Sequence, residues 1–346
     1  MNNTYLIGEI GQNHNGSVEI GKKIIDVVST PVVDKYNNRV FKGFDAIKLT
    51  KRDLNEELSA NANKQVYTSE HSFGNTYGEH RKFLELSEKE HFELYKYAKS
   101  KKLEVVETIC AIGCLSMFNY FEPDFIKVAS RDLTNLPLLD ALAETKIPMI
   151  ISTGMSGKIE LREVIDIISR KHHNITILHC LSQYPSDYKN INLLTIQYLK
   201  KEYPNYTIGY SDHSIGIVIP CAAVAIGASV IEKHVTLDRT MKGTDHAGSL
   251  GPDGIYRMVR DIRNVEMSIG VNDMFLSESV KESKIKLERS IATCRNMDVG
   301  EIIQSDDIHL LSPGDGFKWS NKNQIIGKRL LKPIGKDQII YVNYLK

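Results

Sequence analysis

The 346-residue sequence contains no run of eighteen apolar residues, so we expect no membrane-spanning helix. Its 44 basic and 43 acidic side chains leave a formal net charge of +1, too little for the positive field that nucleic-acid binding requires. No G-x-G-x-x-G follows the first predicted strand, which argues against a dinucleotide-binding fold. The N-terminal MNNTYLIGEIGQ has neither a basic start nor a long apolar stretch, so we expect no secretory signal.

Cysteine is scarce, and the five that occur form an odd-numbered set. Cys180 and Cys221 lie in apolar runs, which is typical of buried thiols. Cys110 and Cys114 form C-x3-C on a predicted loop, a spacing that fits either a metal pair or two unrelated thiols. This usage predicts a protein of the reducing cytoplasm rather than a disulfide scaffold.

The sequence does have a regular alternation of short apolar runs and amphipathic helical stretches. The runs cover residues 4–10, 44–49, 103–109, 124–130, 147–153, 174–180, 206–211 and 228–234. Continuous apolar runs are typical of parallel strands that are buried on both faces. Eight such units within residues 1–270 predict a (β/α)8 TIM barrel, with a doubly wound open sheet as the alternative.

The composition and residue pattern of the sequence change after the predicted last barrel helix at 252–270. Residues 271–284 are polar and charged, and we interpret them as a linker. Residues 285–346 contain short β-like runs and frequent glycine turns. They predict a separate, small β-rich domain.

Two histidines stand where predicted strands end, in YSDHS and in EKHVTLDR. In a barrel of this type the active site lies at the carboxyl ends of the strands. Each histidine alone could be a structural residue. His213 and His234 from successive strands could instead share one divalent metal ion through their imidazole nitrogens.

Other predicted strand ends carry lysines and hydroxyls, namely Lys48, Lys127, Ser130, Ser152 and Ser211. This set suits a phosphate or a carboxylate. Glu9, Glu232 and Asp245 remain for acid–base chemistry or hydroxyl contacts. Taken singly, a lysine could belong to an ion pair, a serine could cap a helix, and His179 is most simply a core histidine. The convergence of all strand ends on one pocket favours a functional interpretation.

Several segments together resemble the sialic acid synthase family. They are IGEIGQNHNGS, IKVASRDLTNLPLL, IISTGM, LHCLSQYP, GYSDHSIG and EKHVTLDRTMKGTDHAGSL. The tail PGDGF…IIGKRL is similar to the C-terminal antifreeze-like (SAF) domain of that family. The similarity runs along nearly the whole chain in the same order.

The resemblance implies condensation of phosphoenolpyruvate with an N-acylated amino sugar, N-acetylmannosamine or a dideoxy relative. The products are a nine-carbon 2-keto acid and phosphate. It also implies a divalent metal, Mn or Mg, and a domain-swapped homodimer in which one subunit's small domain covers the other's barrel mouth. The alternatives are another phosphoenolpyruvate-dependent keto-sugar-acid synthase, acting on a phosphorylated aldose, and a non-catalytic carbohydrate-binding relative.

The resemblance also implies roles for residues at matching positions. His213 and His234 correspond to metal ligands, and Glu9 and Glu232 to acidic residues at the reacting centre. The phosphoenolpyruvate pocket would comprise Lys48, Thr108, Lys127, Ser130, Ser152, Ser182 and Ser211. The sugar side would comprise Asp132, Tyr184, Asp245 and Ser312.

The chain departs from the family pattern at several positions. Ser312 stands where an arginine commonly meets the sugar's acyl group, so we expect a specialised sugar side. The third strand ends in ETIC, which makes Glu107 and Cys110 unusual. We expect the long segment 52–86 to be a loop over the mouth and to offer His71, His80 and Arg81 as further sugar or phosphate contacts.

Overall fold

The computed structural model describes residues 3–346, which form two compact units that divide between Gly270 and Val271. The first unit is a closed barrel of eight parallel strands in the order β1-β10-β9-β8-β7-β6-β5-β4. These strands are β1 (Tyr5–Gly11), β4 (Ala46–Lys51), β5 (Glu104–Ile109), β6 (Phe125–Val128), β7 (Met149–Ser152), β8 (Ile175–Cys180), β9 (Thr207–Asp212) and β10 (Val230–His234). A hairpin of β2 (Val32–Asp34) and β3 (Arg39–Phe41) is separate from the barrel. The predicted (β/α)8 barrel is confirmed.

Helices follow the barrel strands, and most of them cover the outer faces of the strands. They are α1 (Val18–Ser29), α2 (Leu54–Glu57), α3 (Ala60–Lys64), α4 (Tyr77–Leu84), α5 (Glu88–Ser100), α6 (Leu136–Glu144), α7 (Lys158–Ser169), α8 (Thr195–Glu202), α9 (Val218–Ala225) and α10 (Pro252–Ser268). Side-chain caps define several of their starts. Thr76 and Ser87 each form a capping box, with Glu79 and Glu90 respectively. Three short helices, α2 to α4, form an insertion between β4 and α5, in the segment predicted to be a long loop.

The period of two along each strand sorts the side chains into an inner and an outer set. The lower interior of the barrel is an apolar layer of Ile7, Ala46, Val106, Ile150, Leu178 and Val230. Two residues further along the same strands come Glu9, Lys48, Thr108, Ser152, Cys180 and Glu232. The barrel therefore has an apolar plug below and a polar ring above, at the carboxyl ends of its strands.

The outward-facing positions are mostly aliphatic and pack against the helices in one continuous core. No helix within residues 3–346 is long and apolar enough to cross a membrane.

The second unit has its own apolar core, formed by Ile291, Met297, Ile303, Ile308, Ile325, Leu330, Ile334 and Ile340. Its strands β11 (Ser290–Thr293) and β12 (Ile308–Leu311) pair antiparallel. Helix α11 (Lys281–Leu287) precedes them and begins inside the segment that the sequence predicts to be a linker.

One ion pair is buried on the outer side of the barrel. Lys233 Nζ lies 2.6 Å from Asp212 Oδ2, and both side chains are fully buried. Asp212 Oδ1 also accepts hydrogen bonds from Tyr210 and from the Ser214 backbone. The pair joins β9 to β10 one residue before each of the two strand-end histidines, so it fixes the backbones that carry them.

Asp212→Ala should lower the free energy of unfolding by about 3–5 kcal/mol, because Lys233 would keep a buried charge without its partner. Chemical denaturation of the two proteins measures the difference. Asp253→Ala, which removes an exposed carboxylate 3.0 Å from Arg257, is the matched control and should cost under about 1 kcal/mol. Equal effects of the two substitutions would contradict the assignment.

Candidate active site

A cavity of about 540 Å³ opens at the carboxyl ends of the barrel strands. It collects most residues that the sequence assigns to a site: Glu9, Lys48, Thr108, Lys127, Ser130, Ser152, Ser182, Tyr184, Ser211, His213, Glu232, His234 and Asp245. They come from all eight barrel strands or the loops that directly follow them. Barrel closure brings together side chains that are far apart in the sequence.

The floor of the cavity is a buried group of two lysines and two glutamates. Lys48 Nζ lies 2.9 Å from Glu9 Oε2 and 3.1 Å from Glu232 Oε1. Lys127 Nζ lies 3.6 Å from the same Glu232 oxygen. Strand register explains the contacts, since Glu9 pairs with Lys48 on one side and with His234 on the other.

Burial and mutual charge shift the ionisation of this group. Burial alone would raise the pKa of Glu232, but Lys127 and Lys48 outweigh it and lower the pKa to about 2. Burial lowers the pKa of Lys48 to about 8, and the nearby Lys127 acts in the same direction against the attraction of Glu232. At neutral pH the floor therefore holds an ionised carboxylate and a lysine that is close to losing its proton.

Several polar atoms around the floor lack partners in residues 3–346. They are the hydroxyls of Thr108 and Ser152 and the second carboxylate oxygen of Glu232. Ser211 does have a partner, because its hydroxyl donates to Glu232 Oε1 at 2.8 Å. Buried polar groups without partners carry a desolvation penalty, which a polar ligand at this place would remove.

The backbone approaches closely beside the floor at Gly154. Its N–H donates to the Ser130 hydroxyl at 3.0 Å. A Cβ at this position would stand 2.4 Å from the Ser182 hydroxyl and 2.9 Å from the Cys180 sulfur. A larger residue would displace these side chains, so glycine at this position leaves the serines facing the cavity.

His213 and His234 lie one layer above the floor, with ring centroids 5.5 Å apart. His213 Nδ1 is 2.8 Å from the Leu181 carbonyl oxygen, so Nδ1 carries the proton of the neutral ring and Nε2 keeps its lone pair. His234 Nδ1 is buried and has no partner in residues 3–346. Burial lowers the pKa of His234 to about 4, so its ring is neutral at neutral pH.

Burial would lower the pKa of His213, but its contacts with Cys180 and the Leu181 carbonyl outweigh burial and raise it. Once His213 has lost that proton, the two imidazoles fit a divalent cation that takes nitrogen ligands. Within residues 3–346 no group of three or more His, Cys, Asp and Glu side chains is arranged to hold a metal. His213 and His234 would therefore supply two ligands, and the remaining positions would belong to water or substrate. Cys110 and Cys114 form no such site.

Tyr184 covers the histidine pair on the mouth side. Its ring centroid is 4.0 Å from that of His213 and 6.1 Å from that of His234. Its side chain is largely exposed at the mouth, and its phenol can donate a hydrogen bond there. Asp245 lines the same part of the cavity.

Two residues assigned to the sugar side are not among those that line the cavity. Asp132 turns its carboxylate to Arg131, whose Nε lies 3.1 Å away, and Arg131 rather than Asp132 lines the cavity. Ser312 is exposed on the second unit and donates its hydroxyl to the Leu287 carbonyl at 3.0 Å. Their roles toward a sugar stay predictions.

The insertion between β4 and α5 contributes residues that the sequence did not identify. Arg52, Tyr67 and Tyr77 line the cavity together with Arg81. His71 and His80 do not. His71 is partly exposed beside Glu70, and His80 lies in an aromatic cluster and accepts a hydrogen bond from the Phe73 backbone.

Adjacent residues of a strand point to opposite sides of the barrel wall, so not every polar residue near a strand end faces the cavity. His179 faces outward with its Nε2 2.7 Å from the Ile191 carbonyl, so it is a core histidine, while Cys180 lines the cavity. Glu107 also faces outward and is fully buried against His91, at 3.1 Å. The unusual glutamate in ETIC is therefore part of the helix–barrel packing.

Comparisons with known proteins agree with this geometry. The NeuB family profile matches residues 38–274, and the SAF domain profile matches residues 288–344. The human N-acetylneuraminate-9-phosphate synthase is 32% identical over 97% of this chain and 91% of its own. The N,N'-diacetyllegionaminic acid synthase of Legionella pneumophila is 32% identical over 94% of this chain and 90% of its own.

A solved structure of similar fold agrees with these sequence comparisons. The N-acetylneuraminic acid synthetase of Leptospira borgpetersenii has a TM-score of 0.69 and 29% identity, over 82% of this chain and 90% of that one.

Proposed function

Because the chain belongs to the NeuB family, we propose that it condenses phosphoenolpyruvate with an N-acylated amino sugar. The products are a nine-carbon, sialic-acid-like 2-keto acid and phosphate. The observation that supports this most directly is the buried floor of Lys48, Lys127, Glu9 and Glu232 beneath two histidines. Such a floor suits a small, multiply charged substrate placed next to a carbonyl that must be activated.

Phosphoenolpyruvate would bind on the floor. Lys48 and Lys127 supply positive charge for its phosphate and carboxylate. The unpartnered hydroxyls of Thr108 and Ser152 would donate to its oxygens, and the serines around Gly154 complete the pocket. The ligand then satisfies groups that are costly to bury alone.

The reaction follows from this placement. Carbon 3 of phosphoenolpyruvate attacks the aldehyde carbon of the open-chain sugar, and carbon 2 gains cationic character. Water adds at carbon 2, and phosphate leaves from the resulting tetrahedral intermediate. Glu232 is ionised at neutral pH and keeps one carboxylate oxygen free, so it can stabilise the cation or accept the water's proton. Glu9 is the second candidate for these roles.

A divalent ion, Mn or Mg, held by His213 and His234 would act as a Lewis acid toward the sugar carbonyl. Tyr184 would orient the sugar from above the histidines, and Asp245 would accept hydrogen bonds from its hydroxyls. We place the protein in the cytoplasm, where phosphoenolpyruvate is available; all five cysteines are free in the part of the chain that the structure describes.

Phosphate release from phosphoenolpyruvate, measured with a panel of amino sugars, tests the proposed function. We expect release only when a suitable N-acylated amino sugar is present, with one keto acid formed per phosphate. Release at the same rate without any sugar would contradict a condensation.

The pH dependence of kcat/KM for phosphoenolpyruvate should follow the ionisation of Lys48. The protonated Lys48 binds an anion, so kcat/KM for phosphoenolpyruvate should fall as pH rises through about 8, the pKa of Lys48 in the free site. Lys48→Arg keeps its charge at all relevant pH values and should move this decline to higher pH. An unchanged profile in the variant would assign the decline to another group.

The histidine pair should determine metal binding. His234→Ala should weaken Mn²⁺ binding, measured by calorimetry, by more than about a hundredfold, since even partners beyond the ligands are worth ten- to hundredfold. His173→Ala, which removes an exposed imidazole, is the control and should change nothing. A His213→Ala/His234→Ala protein that stays active after chelator treatment would refute the metal site.

The quaternary structure is a further part of the proposal. We expect a homodimer in which each small domain covers the barrel mouth of the other subunit and excludes water from the reaction. Segment 271–287 supports association, since it exposes several large apolar side chains: Val271, Met274, Phe275, Leu276, Ile285 and Leu287.

Mixing two inactive proteins tests the exchange of domains. A barrel truncated after Gly270 has an intact site but no cover, and full-length His234→Ala has a cover but no competent site. Activity should return when they are mixed and hybrid dimers form. Hybrid dimers seen by mass spectrometry without activity would contradict the swapped arrangement.

A further inference from the structure

We propose that the amino sugar carries a phosphate on the carbon farthest from its aldehyde, and that Arg81 binds this phosphate, with Arg52 and Arg131 lining the same cavity. The inference rests on the proposed function and names the substrate class of that site.

Arg81 is a cation in the cavity wall without a counter-ion. Its Nε and Nη2 both donate to the Tyr77 hydroxyl, at 2.9 and 2.7 Å, and its guanidinium lies 4.9 Å from the centre of the Tyr77 ring. Within residues 3–346 it makes no ion pair with a carboxylate. Tyr77 in turn packs against Tyr67, with ring centroids 5.5 Å apart. The aromatic contacts hold the guanidinium in place and leave Nη1 free to donate.

Two further arginines line the cavity; both contact Glu57, and Arg131 also contacts Asp132. Arg52 Nη1 and Arg131 Nη2 lie 3.0 and 2.7 Å from the same oxygen of Glu57. Arg52 Nε is buried and has no partner in residues 3–346. Guanidinium groups bind phosphate through paired, directional hydrogen bonds, which makes arginine the residue suited to a phosphomonoester.

A neutral sugar offers nothing that matches these cations. Phosphoenolpyruvate already has Lys48 and Lys127 on the floor. An unphosphorylated N-acylated amino sugar presents only hydroxyls and an amide, for which Tyr184 and Asp245 are sufficient partners. Arg52 and Arg81 belong to the insertion that follows β4, so they line the cavity beyond its floor.

The numbering of the carbon atoms in the substrates shows where the phosphate lies in the product. The new bond joins carbon 3 of phosphoenolpyruvate to carbon 1 of the six-carbon sugar, so carbon 6 of the sugar becomes carbon 9 of the product. A sugar 6-phosphate therefore gives a 9-phosphate. The human relative is named for such a product and the Legionella relative for one without phosphate, at equal identity. The arginines decide between these two cases.

The test compares N-acetylmannosamine with N-acetylmannosamine 6-phosphate at saturating phosphoenolpyruvate. We expect kcat/KM to favour the phosphorylated sugar by roughly ten- to hundredfold, as for one charge-assisted contact. Arg81→Gln should abolish this preference by lowering kcat/KM for the phosphorylated sugar more than for the unphosphorylated one, while KM for phosphoenolpyruvate stays unchanged. Arg257→Gln, on the exposed face of α10, is the control and should keep the preference.

Equal use of the two sugars by the wild-type protein, or an equal loss for both in Arg81→Gln, would overturn the proposal and would show that Arg81 only packs on Tyr77. Phosphate release with either sugar would still support the proposed function. If neither sugar reacts, the proposed function fails for them, and calorimetry with N-acetylmannosamine 6-phosphate decides on the subsite. Binding that weakens at least about tenfold in Arg81→Gln supports it, and no binding, or unaltered binding, overturns it.

Discussion

The site depends on one buried contact, the placement of Lys48 between Glu9 and Glu232 with Lys127 nearby. Two cations and two anions balance one another where neither sign could be buried alone. The balance is incomplete, since one oxygen of Glu232 and two neighbouring hydroxyls have no partner in residues 3–346. A charged substrate can supply the missing hydrogen-bond partners. The same buried group that the fold must stabilise therefore also binds the substrate.

The contact forms because side chains alternate between the inside and the outside of the barrel along each strand. Six of the eight strands supply an apolar residue to the plug and, two positions later, a polar residue to the ring, as Ile7 and Glu9 do on β1. Two positions further on β9 and β10 come His213 and His234. The same period turns Asp212 and Lys233 to the outside, where their ion pair joins the strands that carry the histidines. One geometric rule thus provides the core, the floor and the candidate metal ligands.

Much of this could be predicted from the sequence, because apolar runs and the residues that end them are local features. The eight barrel strands agree with the predicted runs to within a few residues. Side-chain direction was harder, since adjacent polar residues such as His179 and Cys180 face opposite ways, and only the strand register decides between them. In the insertion 52–86, Arg81 was predicted as a contact, but Arg52, Tyr67 and Tyr77 were not, because tertiary packing rather than a strand period brings them to the cavity.

The SAF domain illustrates the same limit. Its frequent glycines indicated a separate unit, but α11 begins at Lys281, inside the predicted linker. The many charged residues there led us to predict a linker instead of a short helix.

The central claim concerns the floor, and a crystal structure with phosphoenolpyruvate and Mn²⁺ tests it most directly. The account predicts phosphate and carboxylate oxygens within hydrogen-bonding distance of Lys48 and Lys127, with the Thr108 and Ser152 hydroxyls engaged. Phosphoenolpyruvate bound elsewhere in the cavity, with the lysines still paired only to Glu9 and Glu232, would contradict it.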